Sequence, residues 1–360
     1  MYFPLIDVLR GFAAVSVLVY HVVEHFHWAA FPSSGPLVWF RIGWIGVDLF
    51  FVISGLVVSL SAFRLIDRLA VSGFRWPFVA RRLARIVPLY YLTGLVFVVF
   101  IVPHFFFQAN FWPHALAHML FVHNLDLTTS SSINGVNWSI GVEMQFYAIV
   151  LVLAPVLRSC RWWLIPAVAM PVAWAWRWAM VALVPVDPAA GPAALFWAST
   201  QLPGMADEFA FGILLCRLLR SDWQASLRGG AWMPSSVAVG AAGLVWATLS
   251  LFWLHSSFWD SAFMVVLWRS LCGASCAAVV LAACLVQAAW IVRALAPLRY
   301  LGTISYGIYL WHLPVISSFE HLTWLTGERA LPVVLGVTVV LAAGSWSLFE
   351  RPAVRRTEVT

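Results

Sequence analysis

Long apolar segments alternate with short polar connections along most of the chain. A helix of about 20 mainly apolar residues is long enough to cross the hydrocarbon core of a bilayer. Ten segments meet this criterion: 5–23, 40–62, 86–103, 138–157, 162–185, 197–216, 231–254, 262–288, 302–318 and 331–349. The pattern predicts an all-α polytopic membrane helix bundle with about ten transmembrane helices.

The first apolar segment carries two ionisable groups within one predicted helix. In the stretch DVLRGFAAVSVLVYH, ten residues separate Arg10 from His21. Eleven steps of about 100° complete slightly more than three turns, so both side chains lie on nearly the same face, roughly 16 Å apart along the axis. Ionisable groups inside a membrane span are costly, which makes both residues candidates for function.

Composition supports the membrane assignment and argues against nucleic acid as a partner. Hydrophobic residues make up 62% of the 360 residues, charged residues only 10%, and the mean hydropathy is +0.89. A soluble domain has about 25% charged residues. The net charge of +6 comes from 21 basic residues, all arginine, which lie between apolar segments rather than in one basic patch.

Arginine placement predicts the orientation of the helices. Most arginines fall in alternate connections, whereas the long connection 103–137 contains none. Because cytoplasmic connections are enriched in basic residues, we expect both termini in the cytoplasm of a multi-pass protein of the cell inner membrane. The arginine-free connection holds four histidines: His104, His114, His118 and His123. We expect these histidines to be solvated rather than to bind a metal.

The fourth apolar segment carries a polar stripe. In NWSIGVEMQFY, Ser139, Glu143 and Tyr147 are four residues apart and share one helical face. The predicted topology places Glu143 towards the outer end of its span and Asp48 near the outer end of the second span. The predicted topology therefore places acidic residues and histidines towards the outer ends of the spans and Arg10 towards an inner end.

The ninth apolar segment has a similar stripe. In GTISYGIYLWH, Ser305, Tyr309 and His312 occur at positions i, i+4 and i+7, again on a single helical face. We expect this helix to turn its polar stripe towards neighbouring helices.

These stretches resemble the integral-membrane acyltransferase 3 family. The resemblance rests on the Arg10 to His21 spacing, on the pattern WSIxxExxFY at 138–147 and on the pattern SYxxYLxH at 305–312. Three further pieces match: GVDLFFVISG at 46–55, RRLARIVPLYY at 81–91 and FERP at 349–352. Because the motifs follow the family's order, the resemblance implies one acyltransferase 3-type transmembrane domain at 1–356 and a short cytoplasmic tail at 357–360.

The resemblance implies an enzyme that acts as a membrane O-acyltransferase. Members of the family move an acyl group, often acetyl, from cytoplasmic acyl-CoA to an extracytoplasmic or membrane-presented hydroxyl. The acceptor is often a cell-surface polysaccharide or glycolipid sugar, and some members act on small molecules. We expect acyl-CoA as the donor substrate, no permanently bound cofactor and no metal. Many relatives carry a fused extracytoplasmic domain; without one, this chain either acylates its acceptor directly or passes the group to a separate extracytoplasmic protein.

Acyl transfer to a hydroxyl needs a base, and an imidazole with a pKa of about 6.5 serves near neutral pH. His21 is the candidate base. Glu143 is expected to orient it, to stabilise its charged form or to bind the acceptor. The expected donor-binding residues, which would hold the anionic groups of CoA, are Arg10, Arg81, Arg82 and Arg85. The expected acceptor or pocket residues are Asp48, Trp138, Ser139, Tyr147, Ser305, Tyr306, Tyr309 and His312.

Each assignment has an alternative. Arg10 is three residues from Asp7 and could anchor the inner interface, and His21 lies near the outer interface, where a histidine is tolerated. A proton-coupled transporter or exporter is the main functional alternative, because intramembrane Arg, Glu and His residues also form proton relays. A membrane sensor or assembly factor without catalysis is the second. Transporters often show inverted repeats and paired broken helices, and the sequence shows neither.

Overall fold

The computed structural model describes residues 3–184, 186, 192–221, 233–255, 258–286 and 288–358, and the regular secondary structure among them is helical. These residues form α-helices with short 3-10 and π segments, and no strand. Eight helical segments among them are long and apolar enough to cross a membrane: Pro4–His25, Leu37–Gly73, Arg75–Ile101, Gly135–Ser159, Leu164–Leu183, Met233–Leu254, Met264–Leu285 and Gly327–Thr357. The prediction of an all-α polytopic membrane protein is confirmed.

Two of the ten predicted spans correspond to shorter helices. The predicted segments 197–216 and 302–318 contain most of the helices Ala206–Arg220 and Ser305–Phe319, of 15 residues each. At about 1.5 Å per residue such a helix is roughly 22 Å long, less than a hydrocarbon core of about 30 Å. The total of ten spans and the cytoplasmic location of both termini stay predictions.

The α-helices are numbered in chain order over the described residues. They are α1 Pro4–His25, α2 Gly46–Gly73, α3 Arg75–Val96, α4 Phe111–Met119, α5 Leu127–Ser130, α6 Trp138–Ser159, α7 Leu164–Leu183, α8 Ala193–Ser199, α9 Ala206–Arg220, α10 Met233–Leu254, α11 Arg269–Leu285, α12 Ala289–Ala294, α13 Ala296–Thr303, α14 Ser305–Phe319, α15 Gly327–Ser345 and α16 Arg351–Glu358. The 3-10 segments are Pro36–Ile45, Pro103–Phe107, His123–Leu125, Gly135–Asn137 and Leu202–Met205. The π segments are Phe97–Ile101, Met264–Trp268 and Trp346–Glu350.

Some predicted boundaries fall on residues outside the described ones. These are residue 185 at the end of the fifth predicted span, 231–232 at the start of the seventh and 287 near the end of the eighth. Of the predicted tail at 357–360, residues 357–358 belong to α16 and residues 359–360 lie outside the described residues.

Internal contacts divide the chain into two units. Unit 1 contains Met1–Ile6, Asp48–Arg75 and Val142–Ile291. Unit 2 contains Asp7–Val47, Trp76–Gly141 and Val292–Thr360. Each unit has its own buried residues.

In unit 1, α2 and α9 approach each other closely at two glycines. A Cβ atom at Gly55 would lie 2.3 Å from the carbonyl oxygen of Phe209, and one at Gly212 would lie 2.1 Å from that of Val52. Small residues allow such close contact between helices in membranes. The ring of Phe209 also stacks on Phe146 of α6, with centroids 4.1 Å apart. These contacts hold α2, α6 and α9 together.

A buried ion pair joins three helices of unit 1. Arg177 of α7 and Asp207 of α9 are 0% exposed. Their two hydrogen bonds run from Nη2 to Oδ1 at 2.7 Å and from Nη1 to Oδ2 at 3.1 Å. Arg177 also donates to Ser270 of α11 and to the carbonyl oxygen of Gly204. Such a pair satisfies two charges that would be very costly if either stood alone in a low-dielectric interior.

In unit 2, α13 lies directly against the beginning of α1. A Cβ atom at Gly302 would lie 1.7 Å from the carbonyl oxygen of Asp7, and one at Gly11 would lie 2.2 Å from that of Leu298. The next helix, α14, packs against α15. Its Tyr306 hydroxyl donates to the carbonyl oxygen of Ile86 in α3 at 2.9 Å.

Large apolar side chains are exposed along the spans. Trp246 of α10 is 72% exposed, Phe100 of the π segment after α3 is 74% exposed, and Val340 of α15 is 70% exposed. Extended apolar surfaces of this kind are unusual on monomeric soluble proteins and are expected where lipid replaces water.

Breaking the buried ion pair should destabilise the protein severely. We expect Asp207→Asn to lower the free energy of unfolding by about 3–5 kcal/mol, because it leaves the Arg177 charge buried without its partner. The double variant Arg177→Met/Asp207→Leu removes both charges and should recover part of this loss. Thermal stability of the detergent-solubilised protein measures both effects, with Asp126→Asn, at an exposed helix cap, as the control. An unchanged unfolding temperature in Asp207→Asn would contradict the structural role.

Candidate active site

Helix α1 carries both Arg10 and His21, as the sequence predicts. It runs from Pro4 to His25 as one helix. Both side chains are half-buried, and at about 1.5 Å per residue their positions are roughly 16 Å apart along the axis. The helix therefore presents a guanidinium near one end and an imidazole near the other.

His21 and His312 form a ring-to-ring contact in unit 2. His312 Nε2 lies 3.2 Å from His21 Nδ1, and the carbonyl oxygen of Val17 lies 3.0 Å from the same Nδ1. Because a carbonyl only accepts hydrogen bonds, the proton of the neutral His21 ring is assigned to Nδ1. His312 fits this assignment, since its Nδ1 donates to the carbonyl of Ile308 and its Nε2 accepts. The lone pair of His21 is then on Nε2, the atom with which the ring can take a proton.

Tyr309, in the second turn of α14, contacts the start of α6. Its hydroxyl lies 2.7 Å from Ser139 Oγ and donates to the carbonyl oxygen of Val136 at 3.2 Å. The Tyr309 ring also lies next to His312, with centroids 5.7 Å apart. Asn134 Nδ2 donates to the carbonyl oxygen of Leu310 at 2.9 Å, which fixes the stretch before α6 against α14. The structure therefore brings the predicted residues Ser139, Tyr309 and His312 together with His21.

The other predicted pocket residues of unit 2 have different surroundings. Tyr306 is held by its hydrogen bond to Ile86. Ser305 is 0% exposed, and its hydroxyl has no hydrogen-bond partner among the described residues. Trp138 is half-buried at the first position of α6. Their contact with an acceptor stays a prediction.

Two of the predicted donor-binding arginines lie near one buried carboxylate. Glu350 is 1% exposed and interacts electrostatically with Arg85 of α3 and Arg10 of α1. The structure thus brings Arg10 and Arg85 into one charged cluster. Arg82 places its guanidinium 5.7 Å from the centroid of the Phe78 ring. Binding of CoA by these residues, and by the half-buried Arg81, stays a prediction.

Glu143 is held by two hydroxyl groups in unit 1. Its Oε1 accepts a hydrogen bond from Ser54 Oγ at 2.6 Å and another from Tyr147 Oη at 2.6 Å. Hydrogen bonds to an ionised carboxylate are short and roughly twice as strong as neutral ones. Glu143 belongs to unit 1 and His21 to unit 2, so a pairing of the two stays a prediction.

Asp48 lies in a buried ion cluster of unit 1. Arg269 Nε lies 3.2 Å from Asp48 Oδ1 and 3.6 Å from Glu208 Oε1. All three side chains are at most 2% exposed. The sequence predicts a pocket residue at Asp48, and the structure gives it a buried guanidinium as its partner.

Sequence reasoning missed several partners of these residues. Ser54 is a partner of Glu143, and its position in the motif GVDLFFVISG was the available signal. Glu350 lies in the motif FERP, for which the sequence alone indicates no role. The prediction that arginines lie in the cytoplasmic connections does not hold for Arg177 and Arg269. Both lie within apolar segments and form ion pairs there with acidic residues. Nothing in their spacing along the chain identifies those partners.

The expectation that the four loop histidines are solvated is wrong for three of them. His114, His118 and His123 are buried at 8%, 5% and 0% exposure, whereas His104 is exposed. The rings of His118 and His123 stack with centroids 4.1 Å apart. Burial here follows from packing against α3, which a connection without apolar periodicity does not reveal.

Tyr90 joins the two stacked histidines. Its hydroxyl lies 3.0 Å from His118 Nδ1 and 3.3 Å from His123 Nδ1. The Nε2 atoms face the carbonyls of Thr129 and Asn137, so both carry the proton in the neutral rings. Burial and the neighbouring histidine lower the pKa of His118 to about 3, and burial lowers the pKa of His123 to about 4.

The described residues contain no group of three or more His, Cys, Asp or Glu side chains arranged to hold a metal ion. This finding leaves the expected absence of a metal as a prediction.

Comparison with protein families decides the assignment. The sequence profile of a family described as an acyltransferase domain, acyltransferase 3, matches residues 3–350. The chain belongs to the acyltransferase 3 family. The motifs around Arg10, His21, Glu143 and His312 all fall within the matched range.

Curated relatives of this acyltransferase 3 chain are similar over nearly its whole length. The peptidoglycan O-acetyltransferase OatA of Listeria monocytogenes is 27% identical over 98% of this chain and 56% of its own length. YrhL of Bacillus subtilis is 27% identical over 98% of this chain and 55% of YrhL. The exopolysaccharide production protein ExoZ of Rhizobium meliloti is 29% identical over 88% of this chain and 91% of ExoZ. The chain thus spans about half the length of the first two relatives. No solved structure matches it significantly.

Acidification should destabilise the protein through the buried histidine pair. Both lowered pKa values favour the neutral rings in the folded state, so the unfolded chain binds more protons below its ordinary histidine pKa of about 6.5. The stabilisation is present above about pH 6.5 and is lost as the pH falls towards 4. We expect the unfolding temperature in detergent to fall over this range.

The variant His123→Gln isolates this effect. It should unfold at a lower temperature than wild type at pH 7 but lose less stability between pH 7 and pH 4, because one proton-binding site of the unfolded chain is gone. The matched control is His104→Gln, an exposed residue of the same connection, which should keep the wild-type slope. A wild-type slope in His123→Gln as well would contradict the interpretation.

Proposed function

We propose that the protein is a membrane O-acyltransferase that moves an acetyl group from acetyl-CoA to a sugar hydroxyl. Under this proposal the acceptor is a cell-surface polysaccharide or a glycolipid. Membership of the acyltransferase 3 family supports this proposal, as does similarity to the peptidoglycan O-acetyltransferase OatA and the exopolysaccharide production protein ExoZ. The observation that carries it is the geometry of His21, whose contacts assign the lone pair to Nε2.

The proposed chemistry is a single displacement. His21 Nε2 takes the proton of the acceptor hydroxyl while the hydroxyl oxygen attacks the thioester carbonyl of the donor. The new carbon–oxygen bond forms, the carbon–sulfur bond breaks, and the proton is passed on to the departing CoA thiolate. His312 and Tyr309 keep the His21 ring in position. The proposed role of Glu143, which is held by Ser54 and Tyr147, is to orient the base, to stabilise its charged form or to bind the acceptor.

Arg10 and Arg85 would bind the anionic groups of CoA at the other end of α1. A guanidinium offers paired N–H donors that match phosphate oxygens. Arg81 and Arg82 lie on the same helix as Arg85 and extend the basic surface. Glu350 would hold Arg10 and Arg85 in place when the donor is absent.

The proposed setting is the cell inner membrane, with both termini in the cytoplasm and the acceptor outside. The arginine-rich connections support this orientation. In this arrangement the donor enters from the arginine end of α1 and the acceptor from the histidine end. Transfer is either direct or through a separate extracytoplasmic protein. The transporter alternative has no support from the relatives named above.

Substitution of His21 tests the proposed base. His21→Ala should lower the rate of acetyl transfer by at least about 100-fold, because general-base catalysis contributes typically 10²–10⁴-fold. The measurement follows label from radioactive acetyl-CoA to a polysaccharide acceptor, together with release of the CoA thiol, in proteoliposomes. The control is His255→Ala, since His255 makes the same bond to the carbonyl four residues earlier but is exposed.

Substitution of Arg10 tests donor binding separately. Arg10→Ala should raise KM for acetyl-CoA at least about tenfold, as one charge-assisted contact contributes roughly 1.5–3 kcal/mol. Arg68→Ala, which removes an exposed arginine of α2, should leave KM unchanged. Full transfer activity in both His21→Ala and Arg10→Ala would refute the proposed mechanism, and a wild-type protein that neither labels an acceptor nor releases CoA would refute the function.

A further inference from the structure

A cavity of about 560 Å³ lies beside the end of α1 that carries His21. Two segments of unit 2 line it, 25–30 after α1 and 320–328 between α14 and the first turn of α15. Its volume is within the range of sites that bind small molecules or single sugar units. None of the predicted site residues lines it, so it is not the pocket that the sequence suggested.

The first segment is shaped by a left-handed residue other than glycine. His27 has a φ of 47°. It ends α1 in a Schellman motif, with its N–H bonded to the carbonyl of Glu24 and the N–H of Trp28 bonded to that of Val23. Glycine is usual at this position, and another residue there costs roughly 1 kcal/mol. The strain turns the chain sharply so that residues 27–30 form the cavity wall, and strained backbone of this kind is concentrated at binding sites.

Trp28 is fixed as one wall of the cavity. Its side chain stands directly on Gly327, where a Cβ atom would lie 2.3 Å from Trp28 Cγ. Phe31 packs edge-on against it, with centroids 5.0 Å apart. The indole N–H is buried and has no hydrogen-bond acceptor among the described residues. An ordered aromatic surface suits a ligand that has a carbon–hydrogen face, such as a sugar ring.

Two acidic residues, Glu320 and Glu328, also line the cavity. Glu320 Oε2 lies 2.7 Å from His25 Nδ1, and both side chains are about one-third exposed. Glu328 lies in the first turn of α15, where its negative charge offsets the positive end of the helix dipole. Carboxylates accept hydrogen bonds, so they match a ligand that carries several hydroxyl donors.

Cationic side chains that would attract phosphate do not line this cavity. No arginine is among its lining residues, all of which are described, and the chain has no lysine. Nearby Arg41 is not a lining residue, and its guanidinium donates to the carbonyls of Phe31 and Pro32. The cavity therefore disfavours the anionic CoA donor and suits an uncharged polyhydroxyl ligand.

The cavity is also close to the proposed base. His25 is one helical turn beyond His21 on α1, and the centroids of their rings are 6.1 Å apart. The ring of His312 is also next to His21, with centroids 5.0 Å apart. The part of the cavity wall formed by His25 is therefore about one turn of helix from the proposed base.

We propose that this cavity binds the acceptor as a neutral carbohydrate, with Trp28 packing on the sugar ring and Glu320 and Glu328 accepting its hydroxyl groups. This inference rests on the proposed function for the role of the bound sugar as acceptor. Binding itself needs neither the donor nor catalysis. The two proposals can therefore be tested apart.

The first experiment measures carbohydrate binding without acetyl-CoA. Saturation-transfer NMR on the full chain in detergent uses chitotetraose and cellotetraose as neutral probes and an oligogalacturonate as the anionic probe. We expect binding of a neutral probe and none of the anionic one. Trp28→Ala and Glu328→Gln should each weaken binding at least tenfold, and the second variant is at an exposed position where folding is not in question. Glu24→Gln, an exposed residue of α1 that does not line the cavity, is the matched control.

A charge reversal tests selectivity. Glu328→Arg should reduce binding of the neutral probe and create binding of oligogalacturonate. In the transfer assay, Glu328→Gln should raise KM for the acceptor and leave KM for acetyl-CoA unchanged. A purely structural role would not separate the two constants in this way.

The outcomes distinguish the two proposals. If the wild type binds neither neutral probe, or if Trp28→Ala and Glu328→Gln bind as the wild type does, the cavity is not the carbohydrate site. If His21→Ala keeps binding but loses transfer, both proposals stand. If the wild type binds sugar and transfers no acetyl group, the cavity proposal survives as a sugar site and the proposed function fails.

Discussion

The high free-energy cost of an unpaired charge in a low-dielectric interior constrains this protein throughout. In unit 1, buried ionisable groups avoid this cost by pairing with a group of opposite charge. Arg177 and Asp207 satisfy each other, and Arg269 faces Asp48 and Glu208. Because such pairs link one helix to another, they determine which helices are neighbours. Apolar side chains alone specify this weakly in a membrane, since they pack about as well against lipid as against another helix.

The same constraint separates the two ends of α1. Arg10 lies near the carboxylate of Glu350, whereas His21 contacts the His312 ring and the backbone carbonyl of Val17. A guanidinium stays charged and needs an anion, while a neutral imidazole can accept a proton and return it. One continuous helix thus places an anion-binding group and a proton acceptor at fixed positions. Close packing of Gly302 in α13 against Asp7 holds the beginning of α1 in place.

The sequence predicted the helices well and their partners poorly. Apolar length identified eight of the spans, and three- and four-residue spacing placed Ser139, Tyr309 and His312 on sides that do meet. Contacts between residues far apart along the chain produce no periodic pattern in the sequence. Ser54 therefore could not be assigned to Glu143, and the buried stack of His118 and His123 looked like a solvated loop. Spacing predicts which face a residue occupies, and only packing between helices determines what lies opposite.

The rigid distance along α1 has a consequence for the choice of donor. If the phosphate groups bind at Arg10 while the thioester reaches His21, the helix requires the flexible arm that links them to span about 16 Å. A shorter thioester that lacks the nucleotide portion cannot occupy both positions at once. Such a compound would reach the base only by giving up its electrostatic anchor, so chemical reactivity alone would not make it a good substrate.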